Sequence, residues 1–324
     1  MARVTAPPAP AVSVVIPTRN RPGLVGRAVG SALAQSFRDL EVVVVLDGAD
    51  DATAAELDSI DDGRLRVTVL EAARGTAAAR NAGVAEARGA WVAFLDDDDE
   101  WLPAKLARQM PIALASPFRL PIVSCRLLAR RGDASFVWPR RTPRPGEHAS
   151  EYVFCRSSPF WGEGDVFAIT LLTRRTLLET VPFRTGLRRY IENDWLLRAI
   201  TVEGTGVDFV DDTAPLAIWH MDDDRARLTG TPDWRESLAW IRQSRHLVTA
   251  RAYAGFVLGD VGVVAGRRRE WRALGPLLRE AFARGRPRLF DLALFGAGWI
   301  VPPTTQHRLA RRFALEHARL DGAE

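Results

Sequence analysis

The run Ala90-Trp91-Val92-Ala93-Phe94-Leu95 is apolar and ends abruptly in four aspartates, Asp96 to Asp99, followed by Glu100-Trp101-Leu102-Pro103. An apolar run of this length reads as a buried strand, and a buried strand cannot hold four adjacent carboxylates. The aspartates therefore belong at its carboxyl end, where open α/β sheets place their ligands. Packed this closely, they repel one another unless a cation or cationic side chains neutralise them. Hard oxygen donors suit Mg²⁺ or Mn²⁺, and such ions usually also hold substrate phosphates. The stretch thus points to a divalent metal holding a phosphorylated or nucleotide substrate.

The surrounding segments alternate in type. Residues 12–16 read as a buried strand ended by Pro17, and Asn20 suits an N-cap with Pro22 in the first helical turn. Leu24, Val25, Ala28, Val29, Ala32 and Leu33 then recur at helical spacing. Strands at 41–46 and 65–70 and helices at 54–60 and 76–87 lead to the strand at 90–95. This alternation predicts an α/β fold with a mostly parallel, doubly wound sheet. The second half is less regular. It reads as a strand at 119–130, a long loop over 139–164, a strand at 166–173, helices at 174–180 and 193–202, and strands at 207–210 and 214–219. From Trp234 onward the pattern is helical.

Composition narrows the function classes. The chain has 324 residues and a net charge of +4, with Lys105 as its one lysine among many arginines. Arginine matches phosphate geometry, which suits an anionic substrate. No dense basic stripe interleaved with aromatics is present, so nucleic acid is not expected as a partner. Two cysteines, Cys125 and Cys155, are too few for a disulfide framework and suggest a reducing, cytoplasmic compartment. The start lacks the apolar core of a signal peptide, and no run reaches the roughly 18 apolar residues of a spanning helix. Residues 289–301 are apolar and flanked by arginines. Two readings stay open for 286–312: a helix packed on the domain, or peripheral contact with the inner face of a membrane.

Five ordered segments carry a family resemblance. Val12-Ser13-Val14-Val15-Ile16-Pro17-Thr18-Arg19-Asn20 resembles VSVIIPTYN, the opening strand of family 2 glycosyltransferases. Ser31 to Phe37 is similar to that family's S-x-L-x-Q-T/S-F/Y, and Val45 to Thr53 to its V-D-D-G-S-x-D-x-T. Ala79-Arg80-Asn81-Ala82-Gly83 matches A-R-N-x-G, and Phe94 to Asp99 matches F-L-D-x-D-D. More weakly, Phe183 and the segment Tyr190 to Arg198 resemble F-x-x-x-x-x-x-E-D-x-x-L-x-x-R.

The resemblance implies a GT-A fold, a nucleoside diphosphate sugar as donor, Mn²⁺ or Mg²⁺ as cofactor, and transfer with inversion at the anomeric carbon. The resemblance covers roughly residues 12 to 220; the domain reading is a disordered N-terminus at 1–11 and a catalytic domain at 12–230, with a donor half of about 12–110 and an acceptor half of about 111–230. A helical C-terminal region follows at 231–324. Asp98 matches the metal-ligating aspartate, and Asp96 would face the ribose or a metal-bound water. Asp97 and Asp99 stay open, because four consecutive aspartates allow more than one register. Asp47 would accept a hydrogen bond from the donor base, with Pro17, Thr18, Arg19 and Asn20 lining the same pocket. Arg80 and Asn81 are the candidates facing the diphosphate, and Arg74 is another. Asp194 matches the base that deprotonates the acceptor hydroxyl, with Glu192 as the alternative, and His220 is a candidate C-terminal metal ligand.

The chain departs from the family pattern at Leu46 and Ala49, where the family has aspartate and serine, and at Arg19, where it often has tyrosine. These departures leave the identity of the donor base open. A glycan, a lipid-linked glycan or a small molecule all remain as acceptors, and the sequence carries no sign of oligomeric state. A nucleotidyltransferase and a non-catalytic sugar-nucleotide binding protein are the alternatives. The first lacks a convincing glycine-rich phosphate loop, and the second sits poorly with retained Asp98 and Asp194.

Overall fold

The computed structural model describes residues 9–158, 163–211, 213–221 and 233–301. Most of the expected N-terminal tail and the end of the 286–312 segment therefore lie outside the described residues. The first elements are β1 (Val12–Thr18), α1 (Pro22–Leu33), β2 (Leu40–Leu46), α2 (Asp51–Asp58), β3 (Leu65–Val69), α3 (Thr76–Glu86) and β4 (Trp91–Phe94). There follow β5 (Glu100–Trp101), α4 (Lys105–Ala115), β6 (Leu120–Ser124), β7 (Leu127–Arg131), β8 (Ala134–Trp138) and α5 (Ala149–Phe154). Next come β9 (Leu172–Arg174), α6 (Arg175–Thr180), α7 (Ile191–Ala199), β10 (Thr205–Phe209) and β11 (Ala217–His220). The C-terminal elements are α8 (Trp234–Gln243), α9 (Ala250–Phe256), α10 (Gly262–Arg267), α11 (Leu274–Arg284) and α12 (Leu289–Ile300). The chain divides into two compact units, the first comprising Met1–Leu127, Phe167–Leu187 and Glu203–Trp219, the second Leu128–Val166, Arg188–Val202 and His220–Glu324.

A seven-stranded sheet of order β10-β6-β9-β4-β1-β2-β3 builds the first unit. β1 pairs in parallel with β2 and β4, β2 with β3, and β6 with β10; β9 alone runs antiparallel, between β4 and β6. All seven residues of β1 and of β2 are buried, as expected of strands covered on both faces. β3, at the sheet edge, is only partly covered. α3 lies close on the sheet because Gly83 faces Val15 and Val45, where a Cβ would collide with their side chains. The sole lysine is interior: Lys105 Nζ lies 3.8 Å from the centre of the Trp101 ring and donates to Gln109 Oε1 at 2.7 Å. Burial pulls its pKa down to about 8.

The less regular half differs from expectation in ways that have local causes. The strand predicted at 119–130 is two strands, β6 and β7, which belong to different sheets. The predicted loop at 139–164 contains α5, capped by the His148 ring accepting from Ser150 N–H. The predicted strand at 166–173 starts with a single 3₁₀ turn, Ala168–Thr170, and only 172–174 join the sheet.

Helices dominate the second unit. Phe154, Tyr190, Trp240 and Phe256 form its aromatic core, with ring centroids 4.6 to 6.0 Å apart. α9 continues through a π-helical turn, Val257–Val261, into α10. α12 approaches α10 closely, since a Cβ on Gly262 would meet Phe295 and one on Gly266 would meet the Gly298 carbonyl. One face of α12 is thus packed within the unit, while Leu289 and Ile300 are exposed. Among the described residues no helix is long and apolar enough to cross a membrane.

Candidate active site

The carboxyl ends of β1, β2 and β4 bring the first group of expected residues together. In the acidic turn the four aspartates alternate: Asp97 and Asp99 are buried, whereas the Asp96 and Asp98 side chains keep 34% and 23% of their surface open. Their mutual repulsion is offset by cationic and hydroxyl partners. Arg21, the residue before α1, donates through Nη1 to Asp97 Oδ1 at 2.9 Å and to Asp98 Oδ2 at 3.0 Å. The Thr18 hydroxyl donates to Asp97 Oδ2 at 2.8 Å, and Arg27 Nη2 to the Asp98 carbonyl at 2.5 Å. Burial pushes Asp97 up to about 6; Arg21 and Thr18 pull the other way, and Asp98 and Asp96 add to the rise. For Arg21 burial opposes the charge, yet Asp97 and Asp98 hold its pKa above the usual arginine value.

Arg80 is almost fully buried on α3 and donates from Nη2 to Asp96 Oδ1 at 2.7 Å. Its guanidinium lies 6.0 Å from the Phe94 ring and 5.5 Å from the Phe183 ring. This residue, expected at the diphosphate, holds Asp96 in place. Asn81 departs from expectation more fully. Its amide donates to the Phe183 carbonyl at 2.8 Å and accepts from the Phe183 N–H at 2.9 Å, so both ends of the amide clamp the backbone of one residue.

Asp47 lies at the end of β2, 6% exposed. Its Oδ1 accepts from Arg74 N–H at 2.6 Å and its Oδ2 from Gly75 N–H at 2.8 Å. The carboxylate expected to face the donor base therefore pins the loop that opens α3, and Gly75 makes that loop possible with φ +89°. Pro17 is buried in β1, while Arg19 and Asn20 are exposed just beyond it. Asn20 is left-handed at φ 53° and donates its backbone N–H to Asp50 Oδ2 at 2.8 Å.

The second group sits on the first turn of α7, in the second unit. Asp194 has no exposed surface. Its Oδ2 accepts from Arg198 Nε at 2.8 Å and its Oδ1 from Trp240 Nε1 at 3.3 Å. Such a carboxylate is poorly placed to take a proton from an incoming hydroxyl, which must come within about 3 Å. Glu192, in the same turn, is half-buried and keeps open surface. Asp165 lies nearby, accepting from Val166 N–H at 2.8 Å and from the Asn193 amide at 3.4 Å. Burial pushes it up to about 7, against those two hydrogen bonds, with the charges of Glu192 and Asp260 adding to the rise. Asp260, on the π-helical turn, meets Arg156 at 3.3 Å. His220 ends β11, half-buried.

Among the described residues no three His, Cys, Asp or Glu side chains converge on a common point, so no closed metal cage is built, with His220 or without it. Asp96 and Asp98 instead present hard carboxylate oxygens at an open turn. That donor set fits Mg²⁺ or Mn²⁺, which bind through one or two carboxylates and complete their shells with water and substrate phosphate.

Sequence reasoning missed Arg21, Asp165 and Asp260. Arg21 reaches its partner across 76 positions, and no local pattern marks it. The apolar flanks of Asp165 were the available signal, since a lone aspartate beside Val166 and Phe167 faces desolvation.

Comparison with known proteins places this geometry in context. The sequence model of glycosyl transferase family 2 matches residues 13–191. The succinoglycan biosynthesis protein ExoO of Rhizobium meliloti is 42% identical over 113 residues, 35% of this chain and 32% of that protein. The UDP-Glc:alpha-D-GlcNAc-diphosphoundecaprenol beta-1,3-glucosyltransferase WfgD of Escherichia coli is 33% identical over 103 residues, 32% of this chain and 41% of that protein. The matches thus span about a third to two fifths of these relatives' lengths. Among solved structures, S. aureus TarS 1-349 in complex with UDP-GlcNAc superposes with a TM-score of 0.58 at 17% identity, covering 89% of this chain and 90% of that one. The mannosyltransferase PcManGT of Pyrobaculum calidifontis, in complex with GDP-Man and Mn²⁺, gives 0.52 at 19% identity, covering 98% and 88%. The shared fold is the GT-A fold of glycosyltransferases.

Proposed function

The chain belongs to glycosyl transferase family 2, and we propose that it transfers one sugar from a nucleoside diphosphate sugar to an acceptor hydroxyl, with metal dependence and inversion. The observation that carries this reading is the alternation within the acidic turn. Asp96 and Asp98 face outward, while Asp97 and Asp99 are buried and Arg21, Thr18 and Arg80 fix the turn from beneath. Breaking the anomeric bond leaves negative charge on the departing nucleoside diphosphate. A divalent ion held by Asp98, with Asp96 beside it, would supply the charge that offsets it. Arg80 orients Asp96, and Arg21 orients Asp98. Arg74, exposed at the opening of α3, is positioned to meet a phosphate oxygen, with its loop held in register by Asp47.

Inversion requires a base on the acceptor side. Glu192 is assigned that role in preference to Asp194, whose two oxygens are committed to Arg198 and Trp240. Glu192 sits in the first turn of the same helix and keeps open surface, so an acceptor hydroxyl can reach it. A lipid-linked glycan is the acceptor class this reading favours, because the E. coli relative is named for such a substrate.

The test is a thermal-shift screen of UDP-, GDP-, CDP- and dTDP-sugars, each with and without Mn²⁺. One sugar nucleotide should raise the melting temperature in a metal-dependent way, because a ligand that binds only the folded state stabilises it by mass action. Absence of any shift across the whole set sinks the donor reading.

A further inference from the structure

The first unit carries a second cluster of positive charge at the opposite end of the sheet. A cavity of about 400 Å³ there is lined by Arg119, Arg174, Arg175 and Thr176, with Ala90 and Leu120. Ala90 and Leu120 mark the amino ends of β4 and β6, and Arg174 the carboxyl end of the antiparallel β9. The acidic turn lies past the other end of β4, roughly 20 Å from Ala90 at about 3.3 Å per residue.

Most arginines described above are neutralised by carboxylates, such as Arg21 by Asp97 and Arg80 by Asp96. These three are oriented mainly by neutral groups. Arg119 Nη2 donates to the Glu203 carbonyl at 3.0 Å, and the Arg174 guanidinium lies 4.0 Å from the centre of the Trp91 ring. Arg175 Nη1 donates to the Ala87 carbonyl at 3.0 Å. Its Nε is buried without a hydrogen-bond partner, and the one carboxylate near it, Glu179, is exposed and 3.6 Å away. Among the described residues Arg119 and Arg174 have no carboxylate partner. Arg119 is exposed and Arg174 and Arg175 are half-buried, so their charges are open to an incoming anion, and the buried Arg175 Nε adds a donor without a partner.

We infer that Arg119, Arg174 and Arg175 form a binding site for a phosphoryl anion, separate from the donor site. Guanidinium forks match phosphate oxygens bidentately, and the cavity has room for a phosphate ester or a diphosphate. The inference stands on the first unit alone and does not depend on the catalytic reading. The ligand is either a soluble phosphate or the headgroup of an anionic lipid.

The test measures pyrophosphate binding to the full chain in EDTA, by calorimetry and by amide exchange. Wild-type protein should show protection in the segments 87–91, 119–120 and 174–176. The pair Arg119→Gln with Arg174→Gln should lose that protection and weaken binding there about tenfold or more, as expected for charged hydrogen bonds. Metal-dependent donor stabilisation should persist in the pair, which separates this site from the donor site. If the Gln pair fails to fold, Arg119→Lys with Arg174→Lys decides: charge without the fork should leave weaker, salt-sensitive protection of the same segments. Vesicles containing phosphatidylglycerol, compared with phosphatidylcholine alone, distinguish the sources. Arginine-dependent sedimentation that phosphate competes away assigns a lipid headgroup, and protection by pyrophosphate without vesicle binding assigns a soluble ligand. Absence of protection in these segments, or equal protection in the Gln pair, overturns the inference.

Discussion

Asp98 and Asp97 are neighbours with opposite surroundings, and that contrast makes the acidic turn testable. Asp98 faces outward with Arg21 on one oxygen, so replacing it should remove the cation's principal ligand and leave the fold intact. Asp98→Ala is expected to abolish the Mn²⁺-dependent part of donor stabilisation, the total being about 2.7 kcal/mol at a hundredfold excess over Kd. Persistence of that part in a thermal-shift titration would move the ligand role to Asp96. On α7 the same logic separates Glu192 from Asp194. Glu192→Gln should lower the transfer rate about 10²- to 10⁴-fold and spare donor binding, the range for loss of a general base. Asp194→Asn should act first on stability, by about 3 kcal/mol, because it leaves the Arg198 guanidinium without its counter-charge. Single-turnover rates per folded molecule check both. A stable Asp194→Asn protein that transfers no sugar would return the base role to Asp194.

The first turn of α7 is held by another element of its own unit. Tyr190 adopts φ 60°, a left-handed conformation that a bulky side chain enters at a cost of about 1–3 kcal/mol. It is kept there by α8. Trp240 stacks on its ring with centroids 4.6 Å apart and planes at 18°, and the Tyr190 hydroxyl donates to Ser237 at 2.9 Å. Phe256 closes the other side edge-on at 5.2 Å. Because Trp240 also donates to Asp194, one side chain fixes both the residue before the helix and its buried carboxylate. Trp240→Leu should therefore loosen residues 190–194, seen as faster amide exchange there, and lower kcat about tenfold or more with little change in donor KM. Exchange and kcat both at wild-type levels would show that α8 does not position Glu192. The C-terminal helices were legible in the sequence as apolar, helical segments, but not in this role. Nothing local to Trp240 announces a partner 46 to 50 positions earlier.

Across the molecule, the sheet was readable because burial on both faces leaves unbroken apolar runs, and the ligand end was readable because carboxylates cannot follow such runs inward. β9 was harder to place, since three residues in the sheet carry too little pattern to show that they run antiparallel. The register of the aspartates was out of reach for a related reason: it depends on Thr18 at the end of β1, Arg21 just before α1 and Arg80 on α3. That long-range environment also has a signature in solution. Asp97 is raised to about 6 by burial, whereas an unfolded chain releases the same proton near 3.8. Between these values the folded state binds more protons than the unfolded state, so this group makes stability fall as pH rises through the window. Carboxylates held low by their partners, among them Glu41 and Glu147, contribute the opposite slope and obscure the effect in the wild type alone. The difference between wild type and Asp97→Asn isolates it, because the amide keeps the shape and cannot ionise. Denaturant unfolding from pH 4 to pH 7 should show the variant gaining on the wild type by on the order of 2–3 kcal/mol. A difference that stays flat across that range would mean Asp97 is ionised throughout, with Arg21 outweighing burial.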